Sequence, residues 1–318
     1  MANSLKVFAG SASPRLTAGI CQHLGIPVGE CETICFSEGN LFVRIQENVR
    51  GADCFVVQAT GAPVNDNFME LLFWIDAFRR ASAGTVTAVV PFFSYAKGDK
   101  KDEPRVSIRA RVCADAIESA GADRVLTMDL HAPQIQGFFK IPVDHLYAMT
   151  VLCDRLRELV SGDLVVVSPD VGFGKQARKY GMLLEASVAI GDKYRSGHDE
   201  NPVVLHVIGD VRGKTAVIVD DFVITAGSLV EIAKALVNLG VTRILAAVTH
   251  GVLSAGAAER LETSPIEKLL ITDTVETHPG AVSHRIEVVS VTRLFAEAVR
   301  SIHEKTSVSL LFPKEIQS

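Results

Sequence analysis

The sequence predicts an α/β protein of two tandem domains of one kind, each a mainly parallel sheet flanked by helices. Three observations carry this. Short runs rich in Val and Ile alternate with helical patterns along the chain, which is the signature of parallel strands buried beneath helices. The order of these signals repeats, with three strand segments of the first half echoed in the same sequence in the second. The 318 residues, 48% hydrophobic and 22% charged, suffice for about two packed domains without disulfides or a structural metal.

Strands are expected at 54–59, 85–91, 125–129, 164–168, 216–220 and 244–249, and helices at 66–82, 107–119, 149–160, 174–183 and 228–239. In the repeat, Gly51-Ala-Asp-Cys-Phe-Val-Val answers Ser161-Gly-Asp-Leu-Val-Val-Val. Ala83-Gly-Thr-Val-Thr-Ala-Val-Val answers Arg212-Gly-Lys-Thr-Ala-Val-Ile-Val. Gly121-Ala-Asp-Arg-Val-Leu, running on to His131, answers Gly240-Val-Thr-Arg-Ile-Leu, running on to His250. The domains are placed at 1–146 and 147–318, with the C-terminal residues available to pack back on the first. The polar, charge-rich segment 91–109 reads as a long mobile loop.

A net charge of −5 argues against a general nucleic-acid or membrane-surface binder. None of the six cysteines forms a C-x-x-C pair, and reduced thiols in a cytoplasmic protein are expected. The first residues lack a signal-peptide pattern, and no apolar run approaches the roughly 18 residues of a membrane helix.

The most informative stretch is Val217-Ile-Val-Asp220-Asp221-Phe-Val-Ile224-Thr225-Ala226-Gly227-Ser228. A buried strand leads into two carboxylates, a turn of small residues, and a helix. Ligands bind at the carboxyl ends of parallel strands. Backbone N–H groups of 225–228 can close round a phosphate, helped by the positive end of the helix. The two carboxylates can accept hydrogen bonds from vicinal ribose hydroxyls, so the pattern suits a ribose phosphate; a helix-capping Asp pair is the competing reading. Asp170 after Ser168-Pro169 and His131 after Asp129-Leu130 also follow strands, where they suit a hard cation bridging nucleotide phosphates. Lys193 and Arg195 share one face of an extended segment. They can neutralise a transferring phosphoryl group, or simply belong to a charged surface hairpin. No G-x-x-x-x-G-K-[ST] loop is present, which disfavours a P-loop enzyme.

Several runs resemble ribose-phosphate pyrophosphokinases: Asp129-Leu-His-Ala-Pro-Gln-Ile-Gln-Gly-Phe-Phe139, Ser168-Pro-Asp170, the Asp220–Ser228 loop, Asn48-Val-Arg-Gly51, Asn65-Asp-Asn-Phe-Met-Glu-Leu71, Arg79-Arg-Ala-Ser-Ala83 and Ser307-Val-Ser-Leu-Leu-Phe312. The resemblance spans nearly the whole chain. It implies two phosphoribosyltransferase-like domains, with ribose 5-phosphate held by the second and ATP as co-substrate. By the same resemblance Asp220 and Asp221 meet the ribose hydroxyls, and Ile224, Thr225, Ala226, Gly227 and Ser228 the 5-phosphate. His131 and Asp170 match Mg²⁺ ligands, His131 also touching ATP, and Lys193 and Arg195 match the catalytic cations. Phe36, Glu38, Gly39 and Asn40 fall at an adenine site that a neighbouring subunit supplies. Lys97, Gly98, Asp99 and Lys100 fall on the ATP-handling loop. A homo-oligomer, a hexamer built from dimers, is implied, with no nucleic-acid or membrane partner.

Some positions depart from the family pattern. Phe-Ser-Asp-Gly-Glu reads Phe36-Ser-Glu-Gly-Asn40, Arg-Gln-Asp reads Lys97-Gly98-Asp99, and Lys-Arg-Arg reads Lys193-Tyr194-Arg195. The third aspartate of the ribose-phosphate loop is Ile224, which can neither accept from a sugar hydroxyl nor act as a base. Two rival readings follow: a non-catalytic regulatory member of the family, motivated by Ile224 and Asn40, and a phosphoribosyltransferase, which needs only one such domain.

Overall fold

A computed structural model describes residues 4–194, 203–254, 256–276 and 283–312. They form two compact units. The first holds residues 4–147 with Thr274–Glu276 and Val291–Phe312, and the second holds the other described residues between Ala148 and Ser290.

Along the first unit run β1 (Leu5–Ala9), α1 (Pro14–Leu24), β2 (Cys31–Cys35), β3 (Leu41–Ile45), β4 (Asp53–Val57), α2 (Val64–Arg80), β5 (Thr85–Val90), α3 (Arg109–Ala120), β6 (Arg124–Met128) and β7 (Val143–Leu146). The sheet has the order β1-β4-β5-β6-β7 with every pair parallel, while β2 and β3 form a separate antiparallel hairpin. In α2 the residues Leu71, Trp74, Ile75 and Phe78 recur at helical spacing and are fully buried. They pack with Cys54, Val56, Val86, Ala88 and Ile117 on one face of the sheet. The alternate residues Phe55, Val57, Val89 and Leu126 are equally buried, so both faces are covered. That is why these strands read as unbroken apolar runs. Asp66 in the first turn of α2 and Arg79 and Arg80 in its last complement the helix dipole.

One buried polar cluster ties the strand ends of this unit together. Glu70, 1% exposed, accepts from Ser11 N at 2.9 Å, Thr33 Oγ1 at 3.0 Å, Gln58 Nε2 at 2.9 Å and Trp74 Nε1 at 3.1 Å, and from the Ser11 hydroxyl. All five partners are donors, as an acceptor-only carboxylate requires.

The second unit contains α4 (Met149–Leu159), β8 (Leu164–Ser168), α5 (Gly174–Leu184), β9 (Ser187–Tyr194), β10 (Val203–Ile208), β11 (Thr215–Val223), α6 (Gly227–Asn238), β12 (Arg243–Gly251), α7 (Ala257–Glu262), β13 (Lys268–Thr272) and β14 (Ile286–Val289). Its sheet has the order β10-β9-β8-β11-β12-β13-β14, parallel except for β10 at the edge. Leu229, Ile232, Ala233 and Leu236 of α6 pack on Val165, Val167, Ala216, Ile218, Ala246 and Val248. The segments that echo each other in the sequence are β4-β5-β6 in one sheet and β8-β11-β12 in the other, adjacent and parallel in both. The chain then returns to the first unit as α8 (Thr292–His303), which lies against α1. There Arg300 Nη2 donates to His23 O at 3.2 Å, and His303 Nδ1 lies 2.8 Å from Asp53 Oδ2.

Every expected strand and helix is found, with two differences. The strand expected at 216–220 continues to Val223, because pairing with β12 persists through Phe222↔His250 and Val223↔Gly251. Segment 91–109 is not irregular throughout. Ser94–Gly98 form a 3₁₀ turn with Ala96 and Gly98 buried. Ser94 N donates to Thr60 Oγ1 at 3.0 Å, and the Tyr95 hydroxyl bonds to Asn65.

All six cysteines are free thiols. Burial pushes Cys54 and Cys153 up to about 12 and Cys21 and Cys113 up to about 11, so none of these four is poised as a nucleophile. No described helix is long and apolar enough to cross a membrane.

Candidate functional site

In the second unit, β11 presents Asp220 and Asp221 three and two residues before its end at Val223, Asp220 half-buried and Asp221 buried. Asp221 N donates to Asp220 Oδ1 at 3.0 Å, and Phe222 N to Asp221 Oδ1 at 2.9 Å. Burial pushes Asp220 well above the ordinary carboxylate range. The neighbouring Asp221 pushes the same way, and the Asp170 charge adds to it.

The turn that follows is held by its carbonyl side. Val223 O accepts from Val252 N at 3.0 Å and Leu253 N at 3.1 Å. Ile224 O accepts from Ser254 N at 2.8 Å and Ser254 Oγ at 3.1 Å. Thr225 O accepts from Arg260 Nη1 at 2.9 Å. Ala226 adopts a left-handed conformation, φ 60°, at the start of α6, which turns successive N–H groups to one side, an arrangement that makes an anion-binding nest. Gly227 N lies 3.4 Å from Thr225 Oγ1. The Ile224 side chain is 40% exposed.

Asp170 follows β8 and is exposed. Its carboxylate accepts from Phe173 N at 3.2 Å at the start of α5, and its carbonyl from Ser168 Oγ at 2.5 Å. Lys193 lies on β9, two residues beyond Gly191. A Cβ at Gly191 would meet Pro169 O at 2.9 Å and Ile232 Cδ1 at 2.8 Å. Arg195 lies outside the described residues.

The other expected site residues belong to the first unit. Phe36, Glu38, Gly39 and Asn40 form the exposed tip of the β2–β3 hairpin, closed by Phe36 N to Asn40 O at 2.8 Å and Gly39 N to Phe36 O at 2.9 Å. Phe36, 43% exposed, lies 6.4 Å from the Phe42 ring. Lys97, Gly98, Asp99 and Lys100 close the 3₁₀ turn, with both lysines exposed. A Cβ at Gly98 would meet Arg109 Cβ at 2.9 Å and Arg109 N at 3.3 Å, so that close approach favours a glycine. His131 is exposed and follows β6 through Asp129, which is left-handed with φ 38°. A cleft of about 400 Å³ in this unit is lined by Gln136, Asp144, His145, Tyr147, Ser307 and Ser309 among others, and none of the expected site residues borders it.

The structure thus gathers Asp170, Asp220, Asp221 and residues 224–228 in one unit, and the hairpin tip, the 97–100 turn and His131 in the other. Among the described residues no group of three or more His, Cys, Asp or Glu is arranged to hold a metal ion by itself. Ser254 and Arg260, which hold the turn through its carbonyls, carry no signal in the sequence pattern. Their role becomes visible only when β12 and α7 fold beside β11.

Residues 5–121 match the family described as the N-terminal domain of ribose phosphate pyrophosphokinase, and residues 165–313 match the phosphoribosyl synthetase-associated domain. The chain is 50% identical over 311 residues to the ribose-phosphate pyrophosphokinase of Caldanaerobacter subterraneus subsp. tengcongensis, covering 98% of each chain. It is 47% identical to that of Clostridium tetani, covering 97% of each. The crystal structure of phosphoribosylpyrophosphate synthetase from Mycobacterium smegmatis superposes with a TM-score of 0.90 at 38% identity, covering 95% of this chain and 100% of that one.

Proposed function

The chain belongs to the ribose-phosphate pyrophosphokinase family, and from that membership we propose that it transfers the β,γ-pyrophosphoryl group of ATP to the C1 hydroxyl of ribose 5-phosphate, giving 5-phosphoribosyl 1-pyrophosphate and AMP. The observation that carries the reading is the turn after β11. Its carbonyls are bonded away from the ligand side, its N–H groups precede the positive end of α6, and two carboxylates stand beside it.

In this reading Thr225, Ala226, Gly227 and Ser228 bind the 5-phosphate, with Ile224 contributing backbone only, and Asp220 and Asp221 accept from the ribose hydroxyls. Phe36, Glu38, Gly39 and Asn40 serve adenine, and Lys97, Gly98, Asp99 and Lys100 serve the ATP phosphates. Mg²⁺ fits the donor chemistry. Asp170 is a hard oxygen donor whose charge is felt at Asp220, and this ion is held by one or two carboxylates plus substrate phosphates. Asp170 would hold it in the second unit, His131 of the first unit being a ligand by family resemblance alone, and when bound the ion would neutralise charge on the phosphoryl oxygens. Lys193 and Arg195 neutralise the transferring group. The 95–108 segment closes over ATP and excludes water. Catalysis is then positioning and charge neutralisation. The domains divide the work at 1–146 and 147–318, in a cytoplasmic homo-oligomer.

A second reading, a regulatory member without turnover, draws on the exposed apolar Ile224 beside the ribose carboxylates. Identifying the nucleotide released from ATP in the presence of Mg²⁺, with and without ribose 5-phosphate, separates the two. AMP formed only with the sugar phosphate supports pyrophosphoryl transfer, and an unchanged ATP pool supports the regulatory reading.

A further inference from the structure

We propose that Arg260 is a ribose 5-phosphate-binding residue: it pins the Thr225 carbonyl so that the N–H groups of 225–228 face the phosphate, and it sets a cation beside them. This rests on the reading of that turn as the 5-phosphate site.

Arg260 lies on α7, which the sequence motif does not include. Its Nη1 donates to Thr225 O at 2.9 Å, and a Cβ built on Gly227 would lie 3.6 Å from the same nitrogen. The guanidinium therefore sits against the first turn of α6. A guanidinium carries five N–H donors, and the Thr225 carbonyl accepts one of them, so further donors remain for an anion.

The electrostatics point the same way. The N-terminal end of a helix is positive and disfavours a cation. The first turn of α6 contains no acidic residue, and Arg260 is exposed and forms no ion pair among the described residues. Two positive features side by side are unfavourable until an anion lies between them, and a phosphate dianion meets both. Ser254 completes the arrangement by taking the Ile224 carbonyl with its N–H and hydroxyl. The turn is thereby held by backbone contacts that do not depend on the side chain at 224.

The test is steady-state AMP formation by the full-length wild type and by Arg260→Ala, Arg260→Gln and Arg260→Lys, varying ribose 5-phosphate and ATP separately. Loss of a charge-assisted contact raises KM for ribose 5-phosphate about tenfold or more in Arg260→Ala. KM for ATP stays within about twofold and kcat within about threefold. Arg260→Lys, which keeps the charge, recovers most of the loss, whereas Arg260→Gln does not. Should Arg260→Ala fail to fold, Arg260→Gln decides by the same criterion. A ribose 5-phosphate KM within about twofold of wild type in a folded Ala or Gln variant, or an equal rise in both KM values, overturns the proposal. Absence of ribose 5-phosphate-dependent turnover in the wild type overturns instead the reading on which it rests.

Discussion

The backbone N–H of Asp221 donates to the carboxylate of Asp220 at 3.0 Å, which fixes the Asp220 side chain against the strand next to its acidic neighbour. Burial and the Asp221 charge raise the Asp220 carboxyl above its unfolded value, so the folded state binds its proton more tightly than the unfolded chain. The stability this contributes is fully present below the unfolded value of about 3.9, and it is lost as pH rises through the folded value. Asp220→Asn removes that loss. The unliganded variant is expected to melt above wild type at pH 7, with the gap closing towards pH 4, while turnover with ribose 5-phosphate falls. Calorimetry across that pH range checks it, and a variant less stable than wild type at pH 7 contradicts it.

Lys193→Ala is expected to leave the fold intact and to lower kcat by about a hundredfold or more. Gly191, two residues earlier on the same strand, leaves no room for a Cβ beside the Pro169 carbonyl that precedes Asp170. Near-normal kcat in Lys193→Ala removes the residue from the chemistry.

Glu70 gathers donors from the β1–α1 turn, β2, the end of β4 and α2. In Glu70→Gln the amide N–H₂ faces either Gln58 Nε2 or the Ser11 N and Trp74 Nε1 pair, which can only donate, so one or two of these are left buried and unpaired. The expected cost is about 1–3 kcal/mol, read as a lower denaturant midpoint. A midpoint equal to that of wild type shows that the cluster relaxes.

What the sequence reveals follows from the physics of burial. Strands covered on both faces, such as β4, β5 and β8, are apolar without interruption and are recognisable as runs. The β2–β3 hairpin has no buried residue, and its strands carry no such signal. Edge strand β14 and helix α7 are short and mixed, so periodicity does not mark them, and α8 is identified as part of the first unit only by its packing on α1. The Asp220–Ser228 turn is legible because strand, carboxylates and small residues are contiguous. Ser254 and Arg260 are not, because they reach that turn from the segment after β12 and from α7, 30 and 35 residues further along the chain.

Pyrophosphoryl transfer is tested most directly by the ³¹P spectrum of the protein incubated with Mg²⁺, ATP and ribose 5-phosphate. Transfer of the intact pyrophosphoryl group predicts AMP and a sugar carrying both a 5-phosphate and a 1-pyrophosphate, appearing in equal amounts and only when ribose 5-phosphate is present. ADP with a bisphosphorylated sugar, or a spectrum that does not change, contradicts it.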